Sequence, residues 1–430
     1  MIARSAAVWA MKYALPGVGL RAAARRGEAI SLAVAPGIRH DPFPAYDAIR
    51  AQGPLVHGRF VSATASHSSA DAVLRSEVFR AGPTGAPFRA LDRLLSAAID
   101  PRALGPDDPP SLLAIAPPEH TRIRRLVSRA FTARAIAALS ARVQDLAHEM
   151  LDAIAATKPA TFDLIDSYAA LLPVTVISEI LGVPTQMRHQ FLVWGNQAAL
   201  ALEPGLSWRD YRRADAAARN AHAWLDEHID RLRRNPGDDL LSQLIQTADE
   251  SDRLTHTELR ITALLVLGAG FETTVNLIGN AVALLLAHPD QLDRLQRDPT
   301  GWDNAIEEVL RLDSPVQITL RIPNSDTEVA GVPVRGGRPV VVMLGGANRD
   351  PDVFTDPHRF DSTRPNAREH LAFSAGPHFC LGAQLARLEA ATAARALFER
   401  FPDLALDDQP TRRDTRVLRG YQHLPLRTGW

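Results

Sequence analysis

Residues 373–382 read Phe373, Ser374, Ala375, Gly376, Pro377, His378, Phe379, Cys380, Leu381 and Gly382, and Cys380 is the sole cysteine of 430 residues. The run before it has the composition of a loop, and residues 381–401 read as a helix. A thiol where a helix begins lies at the positive end of the helix dipole, among unpaired N–H donors, which favours its thiolate form. One thiolate cannot close an internal disulfide or build a four-cysteine metal centre. It can be the single axial ligand of a haem iron. The plain alternative, a small buried hydrophobe, does not account for the close flanking by Gly376, His378 and Gly382.

A second stretch with chemical content is Gly268, Ala269, Gly270, Phe271, Glu272, Thr273 and Thr274, in the middle of an apolar run over residues 261–287. As a helix that run spans about 40 Å. Each glycine inside a helix costs roughly 1 kcal/mol relative to alanine, which implies close approach of something to the backbone. A buried carboxyl such as Glu272 costs more unless it is paired or used. Residues 305–315 place Glu308 three positions before Arg311, on one helix face. Taken alone, such a pair is usually a solvated surface feature. Residues 117–131 hold His120, Arg122, Arg124, Arg125 and Arg129, of which His120 and Arg124 share a helical face.

Together these stretches resemble the signatures of the cytochrome P-450 superfamily, the haem-thiolate monooxygenases, in the soluble actinobacterial branch. The cysteine loop departs from the family pattern at one place, Ser374, where a glycine is usual. The resemblance implies that Cys380 ligates the iron of haem b within a loop formed by Phe373, Gly376, His378 and Gly382. It implies that Ala269 and Gly270 leave room for dioxygen beside the metal, and that Glu272 and Thr273 deliver protons to it. The Thr273 hydroxyl can also bond back to the carbonyl four residues earlier. His120, Arg124, Arg321 and His378 match the family's donors to the two haem propionates. Glu308 and Arg311 match its buried structural pair, for which Arg364 is a candidate third partner. Arg125 and Arg129 fall off that line, as a solvated face or a docking patch for an acidic electron carrier.

The activity so implied is insertion of one oxygen atom from dioxygen into a hydrophobic molecule. The electrons come from NAD(P)H through a separate ferredoxin and its reductase, since no flavin or nicotinamide module is evident in the chain. Substrate walls are expected from residues 81–113 and 193–206, from the long apolar helix, from Val316 and Ile318, and from the stretch near Tyr421. A peroxide-driven peroxygenase, a non-catalytic haem protein and a cysteine hydrolase using Cys380 and His378 are the competing readings. The Glu272 and Thr273 pair counts against the first.

The elements that must position these residues are mostly helical, with a minor β portion, in one domain over residues 1–430. A basic segment covers 1–35, a helical core about 120–315, a strand-rich region about 320–345 and the cysteine loop 373–382. Helices are expected over residues 132–156, 171–181 and 208–234, and at the apolar run, where Thr255 and Glu258 form a capping-box pair. Residues 54–64 suggest a short hairpin, 195–206 a loop and 416–426 a final hairpin. Hydrophobic content of 46%, charged content of 23% and a net charge of −1 fit a globular protein without strong attraction to nucleic acid. One cysteine suits a reducing cytoplasm. Glu272 and Thr273 argue against a transmembrane reading of residues 261–287. Arg4, Lys12, Arg21, Arg25 and Arg26 against Glu28 leave a peripheral contact of the first segment with anionic lipid open.

Overall fold

Thr255 and Glu258 start the element on which the rest packs. The Thr255 hydroxyl accepts from the Glu258 backbone N–H, and the Glu258 carboxylate accepts from the Thr255 N–H at 2.8 Å. This capping box satisfies two donors that a helix N-terminus leaves unpaired. The helix it opens, α11 (His256–Ala287), ends ahead of Pro289. In the computed structural model, which describes residues 2–26, 28, 40–81, 99–251 and 254–429, α11 runs through the main hydrophobic core. It is the one described helix long and apolar enough to cross a membrane, and 67% of its most apolar stretch is buried inside the protein.

In chain order the other helices are α1 (Ile2–Trp9), α2 (Leu15–Ala24), α3 (Phe43–Arg50), α4 (His67–Arg75), α5 (Glu119–Val127), α6 (Ala133–Ala156), α7 (Leu171–Ile180), α8 (Arg188–Ala199), α9 (Trp208–Arg234) and α10 (Leu240–Ser251). After α11 come α12 (Pro289–Arg297), α13 (Trp302–Leu312), the short α14 (Leu344–Ala347) and α15 (Ala383–Arg400). Helices α7, α9, α13 and α15 lie against α11, and α15 also lies along α6. Thr132 caps α6 and Ser207 caps α9, each accepting a backbone N–H three residues on. Residues 195–206 are not the expected loop. The chain stays helical through Ala199 and tightens into a 3₁₀ turn at Leu200–Leu202 before Gly205 breaks it in a left-handed conformation.

The strands form a minor layer beside the helical body. β1 (Val56–His57), β2 (Ser62–Thr64), β8 (Val340–Met343), β5 (Ile318–Pro323) and β3 (Phe79–Arg80) make one sheet in that order, with β2 and β8 parallel and the other pairs antiparallel. β6 (Thr327–Val329) and β7 (Val332–Val334) form a hairpin. The expected last hairpin is instead split between two sheets. β11 (Tyr421–His423) pairs with β10 (Thr411–Arg412), while β12 (Pro425–Arg427) lies between β4 (Thr161–Asp163) and β9 (Ala405–Leu406).

Glu308 and Arg311 on α13 are both fully buried. Arg311 Nε and Nη2 donate to the two carboxylate oxygens at 2.7 and 2.8 Å, and Arg364 Nε reaches the same carboxylate at 3.1 Å. The remaining Arg311 donors reach the carbonyls of Asn348, Pro357 and Arg359. One carboxylate thus ties α13 to the chain that leads into the cysteine loop, with every guanidinium donor of Arg311 used, as a buried charge requires.

Candidate active site

Cys380 sits two residues ahead of Gly382, the residue that caps α15, in a loop closed by its own backbone. The Cys380 N–H donates to the Phe373 carbonyl at 2.9 Å and the Phe379 N–H to the Gly376 carbonyl at 3.1 Å. Gly376 is required twice over. Its φ is +65°, and a β-carbon there would stand 2.6 Å from the Leu74 carbonyl oxygen. Ser374 also holds a left-handed φ, +59°, which accounts for glycine being usual at that position. Phe373 lies beneath the Arg387 guanidinium at 4.6 Å.

The thiol does not show the lowered pKa expected of a helix start. Burial pushes it up, and the Gly382 N–H, Arg124 and Arg387 only partly oppose this. Cys380 lies before the first turn of α15, so the dipole is a weaker influence than desolvation.

Around the thiol the structure gathers four basic side chains from three places in the chain. His120 and Arg124 come from α5, Arg321 from β5, and His378 from the cysteine loop. The His120 and His378 rings are 4.3 Å apart. Arg124 donates to the Phe379 carbonyl at 2.6 Å, and Arg321 to the Thr319 hydroxyl and Leu320 carbonyl at 2.9 Å. Among the described residues no carboxylate pairs with any of the four. Burial holds Arg321 down at about 10. Burial, then Arg124 and Arg321, holds His120 at about 4. Burial, Arg321, His120 and Arg124 hold His378 at about 3. At neutral pH the two guanidiniums are therefore the charges here and the two imidazoles are neutral, a donor set suited to binding an anionic group.

The middle of α11 carries an opening in an otherwise buried face. Ala269 is exposed, Gly268 and Thr273 are half-buried, and a β-carbon at Gly268 or Gly382 would meet no atom within 4 Å. The Thr273 hydroxyl donates to the Ala269 carbonyl at 3.0 Å, the bond expected four residues back. Gly270 plays a different part from the expected one. A β-carbon there would stand 2.8 Å from Ile177, so its missing side chain lets α11 and α7 approach and does not widen the opening. Glu272 is buried and accepts a hydrogen bond of 2.5 Å from Arg413, which also reaches Asn196 on α8 at 3.0 Å. Burial raises the Glu272 carboxyl and Arg413 draws it partly back.

Ile318, expected at a substrate wall, packs instead with Phe43 and Tyr46. It lies on the face of β5 opposite Arg321, because strand side chains alternate. Val316 is half-buried, packs on the cluster beneath the sheet and bridges through its backbone to Leu418. Tyr421 is buried 3.6 Å from where a Gly279 β-carbon would stand, against α11. Residues 82–98, also expected to wall the pocket, lie outside the described residues. Arg125 and Arg129 are exposed on and just after α5, while Arg122 pairs with Glu258. Arg413, Asn196 and Arg387 carried no sequence signal, because each meets its partner only through long-range folding.

The residues fit haem on three counts: a lone thiol, an opening on α11 lined by small residues, and four basic side chains with no carboxylate partner among the described residues. The comparisons agree. The family model described as "Cytochrome P450" matches residues 106–299 and 302–420. The chain is 48% identical over 409 residues to "Putative cytochrome P450 140" of Mycobacterium tuberculosis, covering 94% of this chain and 93% of that protein. It is 41% identical over 397 residues to "Cytochrome P450 monooxygenase PikC" of Streptomyces venezuelae, covering 90% and 91%. The crystal structure of ligand-free CYP164A2 from Mycobacterium smegmatis superposes with a TM-score of 0.84 at 36% identity, over 93% of this chain and 99% of that one.

Proposed function

The chain belongs to the cytochrome P450 family, a haem b oxidoreductase family, and on that premise we propose that it is a monooxygenase that transfers one oxygen atom of dioxygen to a hydrophobic small molecule. The observation that carries the reading is the set of four basic side chains beside Cys380, two guanidiniums and two imidazoles, with no carboxylate paired to any of them among the described residues. The name of the relative PikC, a P450 monooxygenase, supports the same reaction type.

In this reading the Cys380 sulfur would hold the haem iron, and the Gly382 N–H would tune the electron density of that sulfur. His120, Arg124, Arg321 and His378 would hold the two propionates, the guanidiniums through charge-assisted hydrogen bonds and the imidazoles through ring N–H donors. Phe373 and Gly376 fix the loop's shape, and Ala269 keeps the opposite side clear. Bound haem supplies dioxygen activation, with electrons delivered one at a time. Thr273 is placed to hold a proton or a water at the opening, by releasing its hydroxyl from the Ala269 carbonyl. Glu272, set one residue before it and tied to Arg413, relays protons from the side of α8 and the C-terminal loop. Val316 bounds the pocket next to Leu418. A separate ferredoxin and reductase in the cytoplasm provide the electrons, with the exposed Arg125 and Arg129 near the thiolate side for docking.

The reading is tested by the carbon monoxide difference spectrum of the reduced protein and of Cys380→Ser. A thiolate-type Soret maximum in the parent, absent from the variant, is the expected result. The same band in both proteins removes Cys380 as the ligand.

A further inference from the structure

The three most exposed large hydrophobic side chains among the described residues are Leu15, Val18 and Phe60, at 67%, 59% and 58%. They lie in one patch. Leu15 and Val18 stand three positions apart on α2, hence on one face. A β-carbon at Gly19 would meet the Phe60 ring at 4.0 Å. The stripe continues along the same face of α2 to Arg21 and, just past the helix end, to Arg25, with Arg26 next to it, all exposed. Arg59 stacks its guanidinium 5.3 Å from the Phe60 ring centre. The one described acid here is Glu28, which accepts the Arg59 backbone N–H at 2.9 Å. Four arginines face one carboxylate around this patch, in a chain whose net charge is −1.

The face is held outward by what the other side of the segment does. Trp9 Nε1 donates to the Leu206 carbonyl at 2.9 Å, and the Tyr13 hydroxyl to the Ala201 carbonyl at 3.0 Å. Lys12 pairs with Asp108 at 2.8 Å, and Gly17 abuts Gly205. These contacts fasten the segment to the α8–α9 connection and to Asp108 ahead of α5, and fix which face looks out. The apolar stripe is therefore a rigid feature of the surface.

We propose that the outward face of α2, together with Arg59 and Phe60, docks the protein reversibly on an anionic lipid bilayer. A convex stripe of aliphatic and aromatic side chains rimmed by arginine is complementary to acyl chains beneath phosphate headgroups. The apolar groups enter the boundary, and guanidiniums bind phosphate oxygens in pairs. A second copy is a poorer occupant, because a two-fold contact through this patch would set four arginines against four. Three apolar side chains and four charges give weak binding that salt reverses.

The test uses the full-length haem-loaded protein and co-sedimentation with two kinds of vesicle, pure phosphatidylcholine and an equal mixture of phosphatidylcholine and phosphatidylglycerol. Binding to the mixture alone, released by added salt, is the expected result. Arg21→Gln, Arg25→Gln and Arg26→Gln should each weaken binding roughly fivefold, and Leu15→Ser with Val18→Ser should abolish it. All these positions are exposed, so the carbon monoxide spectrum stays unchanged and confirms that each variant is folded. No binding to the mixed vesicles, or equal binding by parent and variants, overturns the proposal. Concentration-dependent dimerisation lost in Leu15→Ser with Val18→Ser, without vesicle binding, assigns the face to a second copy instead. Capture by an acidic soluble protein without vesicle binding likewise overturns it.

Discussion

Arg413 Nη1 donates a 2.5 Å hydrogen bond to the Glu272 carboxylate, joining the C-terminal loop to the middle of the long core helix across 141 positions of sequence. Burial raises the carboxyl, and the Arg413 guanidinium opposes that rise. Arg413→Gln therefore moves the Glu272 pKa further up, so the carboxyl stays protonated to higher pH. If Glu272 relays protons, the alkaline limb of the rate profile shifts upward in Arg413→Gln. In Glu272→Gln turnover falls about 10²-fold and that limb disappears. The measurement is product formation against pH for the parent and both variants. A superimposable profile for Arg413→Gln and parent separates the arginine from the chemistry.

Thr273 is bound to the Ala269 carbonyl yet half-exposed to the opening. Replacing it with alanine removes the hydroxyl at the opening and leaves the helix intact. Thr273→Ala is expected to consume electrons at near the parent rate while releasing peroxide in place of product. Simultaneous assay of NADH consumption, peroxide and product decides this; full coupling in the variant contradicts a proton role.

The Glu308 carboxylate is shared by Arg311 and Arg364, and all three side chains are buried. Glu308→Ala leaves two guanidiniums without a counter-charge, at a cost of about 3–5 kcal/mol. Urea denaturation of the haem-loaded protein should show that loss, together with reduced haem content, because the triad fixes the chain entering the cysteine loop. A stability change under about 1 kcal/mol, within the range of a surface pair, is incompatible with this account.

Two buried carboxylates set the acid limit of stability. Burial alone would raise Glu307, but His370 and Arg387 hold it at about 2. His370 is itself pushed down by burial and donates as neutral imidazole, so Arg387 supplies the charge. Burial would raise Asp313 as well, and Arg412 and Arg419 bring it to about 2. Both folded values lie below the unfolded values of about 4. The stabilisation is therefore complete above about pH 4 and is lost as pH falls toward about 2. Urea midpoints should be level down to about pH 5 with respect to these groups and drop steeply below about pH 4. A flat profile to about pH 2.5 is inconsistent with both pairings.

The sequence alone determined the features that repeat or signal over short distances. Thr255 and Glu258 mark the start of α11 because a capping box closes within three residues. Glu308 and Arg311 share a face because a helix turns in 3.6 residues. The loop from Phe373 to Gly382 is a continuous run, legible as a unit, and with the other three stretches it identified the family. Tertiary structure decided what depends on approach between distant segments. It brought His120, Arg124, Arg321 and His378 together and gave Glu272 its partner Arg413. It put Gly270 against Ile177 and turned Ile318 away from the site. It also raised the Cys380 thiol where local position argued for lowering it. Local sequence fixes backbone periodicity and capping, whereas desolvation and long-range pairing exist only once the chain has packed.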